Sequence, residues 1–332
     1  MNYDLVKAGI EIGDNFDKYE DFIPFLENYY DLNKLGFVLF FLSPRPIPEG
    51  LVSDWARFFK KNEIYFAFLY SMQRGAPAGK KSHFTPEMMK EIKDIAGEYF
   101  VGDMIGETGG LASWHKSYFT PSVTKDPLPA NFKTIYEAQD HYVNYVKEVV
   151  DYDRYLGAPA VLAVEASALH RYNFQAGVDY TFLEVMCSNP EILFASARGA
   201  SRAYKRDKLG AHIAHEWYGG FRNDDPLKYK RLKLAYDYSY ISGANFIYPE
   251  SGDISLTSYG YNYDKDSEYC AEFRRIWSEF ADFVKNDKRP AGGPKVSVGF
   301  ISGNGDAHNG GMGDFASTTF WNNFHNPDWA YG

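Results

Sequence analysis

Five glutamates carry most of the chemistry this sequence offers, and each stands where a short apolar run gives out. They are Glu107 in IGETGG, Glu165 in VLAVEAS, Glu184 in TFLEVM, Glu216 in HIAHEWYGG and Glu250 directly after NFIYP. A single glutamate at such a place is usually one half of an ion pair. Five in succession are not a packing pattern, because like charges converging on one region raise one another's pKa and cost stability unless something uses them. Glu11 adds a sixth near the first apolar run, though ahead of its end. Paired carboxyl groups suit a division of labour in which one protonates a leaving oxygen and the other attacks carbon or activates water. Trp217 and Tyr218 follow Glu216 directly, and flat rings beside a carboxylate offer apolar faces to a pyranose. The expected chemistry is therefore cleavage of a glycosidic bond.

Other side chains are placed to hold a substrate. Trp114 and His115 open a long insertion, Gly109–Pro129, after the fourth apolar run, and His170, Arg171 and Tyr172 follow the fifth. The histidines suit sugar hydroxyls, and Arg171 suits an acidic sugar. With Tyr118, Trp217, Tyr218 and Tyr248, these aromatics are spread over several loops, which favours an extended cleft and attack within a chain. A metal reading of His212, His215 and Glu216 fails on a strand, because residues 212 and 215 point to opposite faces; His212 is expected inside, hydrogen-bonded, on the same face as Glu216. No metal and no cofactor are expected. Gly303-Asn304-Gly305 lacks the further glycines and the helix of a nucleotide loop. Ser167, next but one after Glu165, has no nucleophile-elbow glycines.

The elements that must position these residues repeat along the chain. Strands are expected at Val6–Gly13, Phe37–Leu42, Ile64–Tyr70, Tyr99–Glu107, Ala160–Glu165, Tyr180–Val185, Gly210–Glu216 and Ala244–Tyr248. Continuous apolar runs such as FVLFFL are what parallel strands buried on both faces require. Helical patterns separate them, with start signals at Thr85-Pro86, Asn189-Pro190 and Asp225-Pro226. Phe273, Ile276, Trp277, Phe280, Phe283 and Val284 mark one face of a last amphipathic helix. Eight β-then-α units in a row predict a (β/α)8 TIM barrel over residues 1–290, whose working groups belong at the C-terminal strand ends. An open doubly wound sheet is the alternative, but no glycine-rich phosphate fingerprint follows the first strand. After Pro290 comes a linker, AGGP, then a strand expected over Lys295–Ile301 and an aromatic, turn-rich tail. Residues 291–332 thus read as a C-terminal extension or the start of an accessory domain.

With Glu107 in IGETGG on the fourth strand and Glu216 in HEWYGG on the seventh, the barrel resembles the clan A retaining glycoside hydrolases. The resemblance spans roughly residues 4–288 and rests on strand counting. It implies Glu107 as acid/base and Glu216 as nucleophile, acting on a poly- or oligosaccharide without a cofactor. Gly106 stands where that clan has Asn before its acid/base. A pair drawn from Glu165, Glu184 and Glu216 in another clan is an alternative, as is inversion by Glu165 and Glu184, and a barrel that binds glycan without cleaving it is the alternative class.

Composition narrows the partners. The net charge of −9, with no basic run, disfavours nucleic acid and anionic membranes. Two cysteines make neither a disulfide framework nor a zinc site. No apolar run nears the ~20 residues of a membrane span. MNYDLVKAGIEIG has neither part of a signal peptide, so a cytoplasmic chain and a processed, exported one are both compatible. The 27 Tyr and 26 Phe exceed what a plain core needs.

Overall fold

The computed structural model describes residues 6–13, 16–42, 47–69, 84–108, 134–165, 169–185, 190–206, 208–215, 226–253, 264–289, 294–299 and 301. Eight parallel strands close into one barrel in chain order. They are β1 (Lys7–Ile12), β2 (Phe37–Phe41), β3 (Tyr65–Leu69), β4 (Phe100–Glu107), β5 (Val161–Glu165), β6 (Tyr180–Val185), β7 (Leu209–Ile213) and β8 (Phe246–Pro249). The described α-helices are α1 (Phe22–Tyr29), α2 (Leu51–Lys61), α3 (Pro86–Ala96), α4 (Ile135–Leu156), α5 (His170–Gln175), α6 (Pro190–Ala203), α7 (Lys228–Ile241) and α8 (Glu268–Asn286). The barrel closes where β8 pairs with β1, Lys7 against Phe246 and Ala8 against Ile247. No described helix is long and apolar enough to cross a membrane.

The continuous apolar strands are buried on both faces, as such strands must be in a barrel wrapped by helices. Along β2, Val38 and Phe40 face the helices while Phe37 and Leu39 face the lumen. On the helix side Trp55 of α2 stacks on Phe40, with ring centroids 4.9 Å apart. The lumen holds a second aromatic cluster in which Phe37 lies 5.0 Å from Phe246 and 5.7 Å from Tyr248. Room for these rings comes from glycine. A Cβ on Gly210 would lie 2.0 Å from the Phe182 ring, and one on Gly9 would lie 2.8 Å from the Phe37 carbonyl. Much of the aromatic surplus is thus spent on packing, both inside and outside the sheet.

Three of the described helices begin at a hydroxyl cap. Thr85, Thr134 and Ser267 accept the backbone N–H of Met88, Glu137 and Cys270, which satisfies donors the first turn leaves open. In α8, Trp277 donates from Nε1 to the Gly9 carbonyl at 2.9 Å, fastening the last helix to the first strand.

Two boundaries differ from the sequence reading. The seventh strand was expected to run to Glu216, but β7 ends at Ile213; Ala214 makes one more ladder bond, to Val185, and His215 then turns out to stack on Phe273. The strand expected over Lys295–Ile301 is not formed among described residues 294–299 and 301, where Val296, Val298 and Ile301 are exposed. An apolar run becomes a strand only where a neighbouring backbone completes its ladder, and none does so there among the described residues.

Candidate active site

Strand register places the polar side chains. Neighbouring strands align Glu184 of β6, His212 of β7 and Tyr248 of β8 as Cα partners. Alternation turns them inward, since Phe182 and Phe246, two residues earlier, line the lumen. Glu11 of β1 reaches His212, with Oε2 3.9 Å from Nδ1. From the C-terminal ends of their strands come Glu107, the last residue of β4, and Glu250, one past β8. Their carboxylates approach the other ring nitrogen: His212 Nε2 lies 3.8 Å from Glu107 Oε1 and 3.5 Å from Glu250 Oε2. One ligand atom from each of Glu107, His212 and Glu250 lies within 4.8 Å of the other two.

Burial grades this cluster from floor to rim. Glu11, Glu184 and His212 are 4%, 1% and 3% exposed, while the Glu107 and Glu250 side chains keep 18% and 13% of their surface. The two rim carboxylates are therefore the ones a ligand at the mouth meets first. Below them Tyr248, fully buried, places its hydroxyl 3.0 Å from His212 Nδ1. Burial, followed by the charges of Glu11, Glu107, Glu250 and Glu184, holds the Tyr248 pKa well above that of a free phenol, so it is a neutral hydroxyl. For His212, burial pulls the pKa down, but the approach of the Glu250 carboxylate to 3.5 Å and the charges of Glu11 and Glu184 outweigh it. The result lies above the ordinary 6.5. An imidazole whose protonation is favoured by the acidic groups around it is the electrostatic centre of the site.

Several residues the sequence singled out lie elsewhere. Val164 faces the lumen, so Glu165 points the other way, into the helix layer. There its Oε2 accepts from Thr108 Oγ1 at 3.1 Å and from the Tyr142 hydroxyl at 3.4 Å. Asn173 of α5 completes this buried group, donating to Thr108 Oγ1 at 2.8 Å. His170 is also in the helix layer, fully buried, with Nδ1 2.7 Å from Thr181 Oγ1. Tyr172 is buried beside Tyr142, with ring centroids 6.2 Å apart, and Arg171 donates to its hydroxyl at 3.0 Å. None of Glu165, His170 and Tyr172 faces the mouth with Glu107. Glu216, Trp217, Tyr218, Trp114, His115 and the insertion Gly109–Pro129 lie outside the described residues. His212 and His215 do take opposite faces, His212 in the lumen and His215 against Phe273 of α8. Burial, with the Lys228 charge, pushes the His215 imidazole down to about 3.

No family model matches the sequence, and no curated protein does. Solved structures do. The chain is similar to an endo-β-1,4-mannanase from Thermotoga petrophila, at 13% identity over 86% of this chain and 79% of that one, with a TM-score of 0.45. It is similar to an L-ribulose 3-epimerase, at 13% identity over 85% and 100%, with a TM-score of 0.47. A fungal β-1,4-galactanase is similar at 10% identity over 82% and 99%, with a TM-score of 0.47. Glycosidases and an epimerase stand side by side here, and clan A hydrolases are not singled out.

The sequence reading weighed a metal only along β7 and so missed the grouping of Glu107, His212 and Glu250 across the mouth. The available signal was positional: these residues end, or lie one turn of the pleat from the end of, three strands of one closed barrel.

Proposed function

We propose that the protein is a glycoside hydrolase that cleaves a poly- or oligosaccharide at the barrel mouth. The observation that carries this reading is the approach of Glu107 and Glu250, whose nearest carboxylate oxygens lie within 4.8 Å of one another on the partly exposed rim. Two carboxyl groups ~5–5.5 Å apart suit a retaining mechanism, since an inverting one leaves ~6.5–9.5 Å for a water molecule. Glu107 is the acid/base, protonating the leaving oxygen and then activating water. The second carboxylate attacks the anomeric carbon. Geometry favours Glu250 in that role, and the position after β7 favours Glu216. His212, 3.5 Å from Glu250 and with its pKa raised, steadies the Glu250 carboxylate where Glu250 takes that role.

The test is reducing-end release from a panel of polysaccharides and aryl glycosides. Glu107→Ala should lose turnover on polysaccharide by several orders of magnitude while sparing aryl glycosides with good leaving groups. Azide should restore turnover to whichever of Glu216→Ala and Glu250→Ala has lost the nucleophile, giving a glycosyl azide of inverted configuration. No release from any substrate, or full release by Glu107→Ala, would overturn the proposal.

A further inference from the structure

Glu107, His212 and Glu250 have a second capacity that does not depend on hydrolysis. We infer that they form a binding site for a divalent first-row cation, Zn²⁺ or Mn²⁺, at the barrel mouth. Three observations support it. First, the donor set is one imidazole and two carboxylates, a mixture both ions accept. Second, spacing is close to that of an ion's ligands: Nε2 stands 3.5 and 3.8 Å from the two carboxylate oxygens, all three within 4.8 Å of one another, and ligands ~2.0–2.2 Å from a tetrahedral ion are about 3.3–3.6 Å apart. Small side-chain movements close the difference.

The third observation concerns the histidine itself. His212 is 3% exposed, and its Nε2 edge has no hydrogen-bond partner among the described residues while aiming at the two rim carboxylates. The opposite edge is held by the Tyr248 hydroxyl at 3.0 Å. Metal-binding histidines are oriented in this way by a partner on the second nitrogen. When Nδ1 carries the proton and donates it to Tyr248, the Nε2 lone pair points into the mouth. Tyr248 is in turn locked between Phe37 and Phe182, with ring centroids 5.7 and 5.6 Å away, so the imidazole is aimed by the packed lumen beneath it.

An ion held there occupies both rim carboxylates, so it competes with a glycosidic oxygen for Glu107. On the hydrolase reading, added Zn²⁺ inhibits. The binding test stands apart from that reading because it needs no substrate. Tag-free protein stripped with chelator is titrated with ZnCl₂, then with MnCl₂, in a calorimeter. The expected result is one ion per chain, bound at least tenfold more weakly by His212→Gln and by Glu250→Gln. Glu272→Gln, on the outer surface of α8, should bind as the parent does. Circular dichroism checks each variant's fold. Should His212→Gln fail to fold, Glu107→Gln, a change at the partly exposed rim, carries the same expectation, and the visible band of bound Co²⁺ should be lost with it. No heat with either ion overturns the inference. So does binding that survives the substitutions in the folded variants.

Discussion

Acid should weaken this fold through His170 by an amount that can be worked in advance. The imidazole is fully buried in the helix layer, with Nδ1 2.7 Å from the Thr181 hydroxyl, and burial pushes its pKa down to about 3. In the unfolded chain the same group titrates near ~6.5. A base with a lowered folded pKa is protonated first in the unfolded state as pH falls. Its contribution is therefore intact above about pH 6.5 and is lost progressively toward pH 3. At about pH 5 the unfolded chain lies 1.5 pH units below its midpoint while the folded imidazole is still neutral. At about 1.36 kcal/mol per unit, the loss is about 2 kcal/mol. His170→Gln removes the titration and keeps an amide able to bond Thr181. Urea unfolding of both proteins at about pH 7.5 and about pH 5 gives the answer, because carboxylates common to both cancel in the difference. The parent should lose about 2 kcal/mol more than the variant on acidification. Equal losses would refute the assignment of a neutral, buried His170.

Two glycines should respond in opposite directions. Gly210→Ala places a Cβ 2.0 Å from the Phe182 ring, which packs against Phe37, Phe246 and Tyr248; overpacking of this kind costs ~1–3 kcal/mol. A urea midpoint unchanged from the parent would show that the ring has room to move. Gly199→Ala, inside α6 with nothing within 4 Å of the new Cβ, should stabilise by ~0.5–1 kcal/mol through helix propensity. A loss of stability there would mean that this face of α6 is covered.

The barrel was legible in the sequence because its strands are apolar on both faces. Runs such as FVLFF and YTFLEV leave few alternatives, and β6 falls on the expected residues, Tyr180–Val185. Side-chain parity was harder to read. In VLAVE every residue before the glutamate is apolar, so nothing marks which face Glu165 takes; the structure turns it outward to Thr108 and Tyr142. In YTFLEV, Glu184 goes inward, and only pairing with His212 decides that. The end of β7 was misplaced for a related reason. LGAHIAHE carries no breaker, and the ladder stops because the chain leaves the sheet after Ala214. The mouth itself needed the closed barrel. Glu107 and Glu250 are separated by 143 positions in the chain, and only closure brings their oxygens within 4.8 Å.

The lumen divides into two zones with opposite demands, and one residue joins them. Below, Phe37, Phe182 and Phe246 fill the barrel with rings that need a dry, rigid surrounding. Above, Glu11, Glu107, Glu184 and Glu250 crowd negative charge into a partly dry space, which is costly unless positive charge is placed among them. Tyr248 belongs to both zones: its ring packs with the phenylalanines, and its hydroxyl meets His212. Because that ring cannot shift without opening the aromatic cluster, the imidazole is held at the height where Glu107 and Glu250 can reach it. Packing at the floor therefore sets electrostatics at the rim. A proton on His212 or a divalent ion beside it would answer the same need for positive charge.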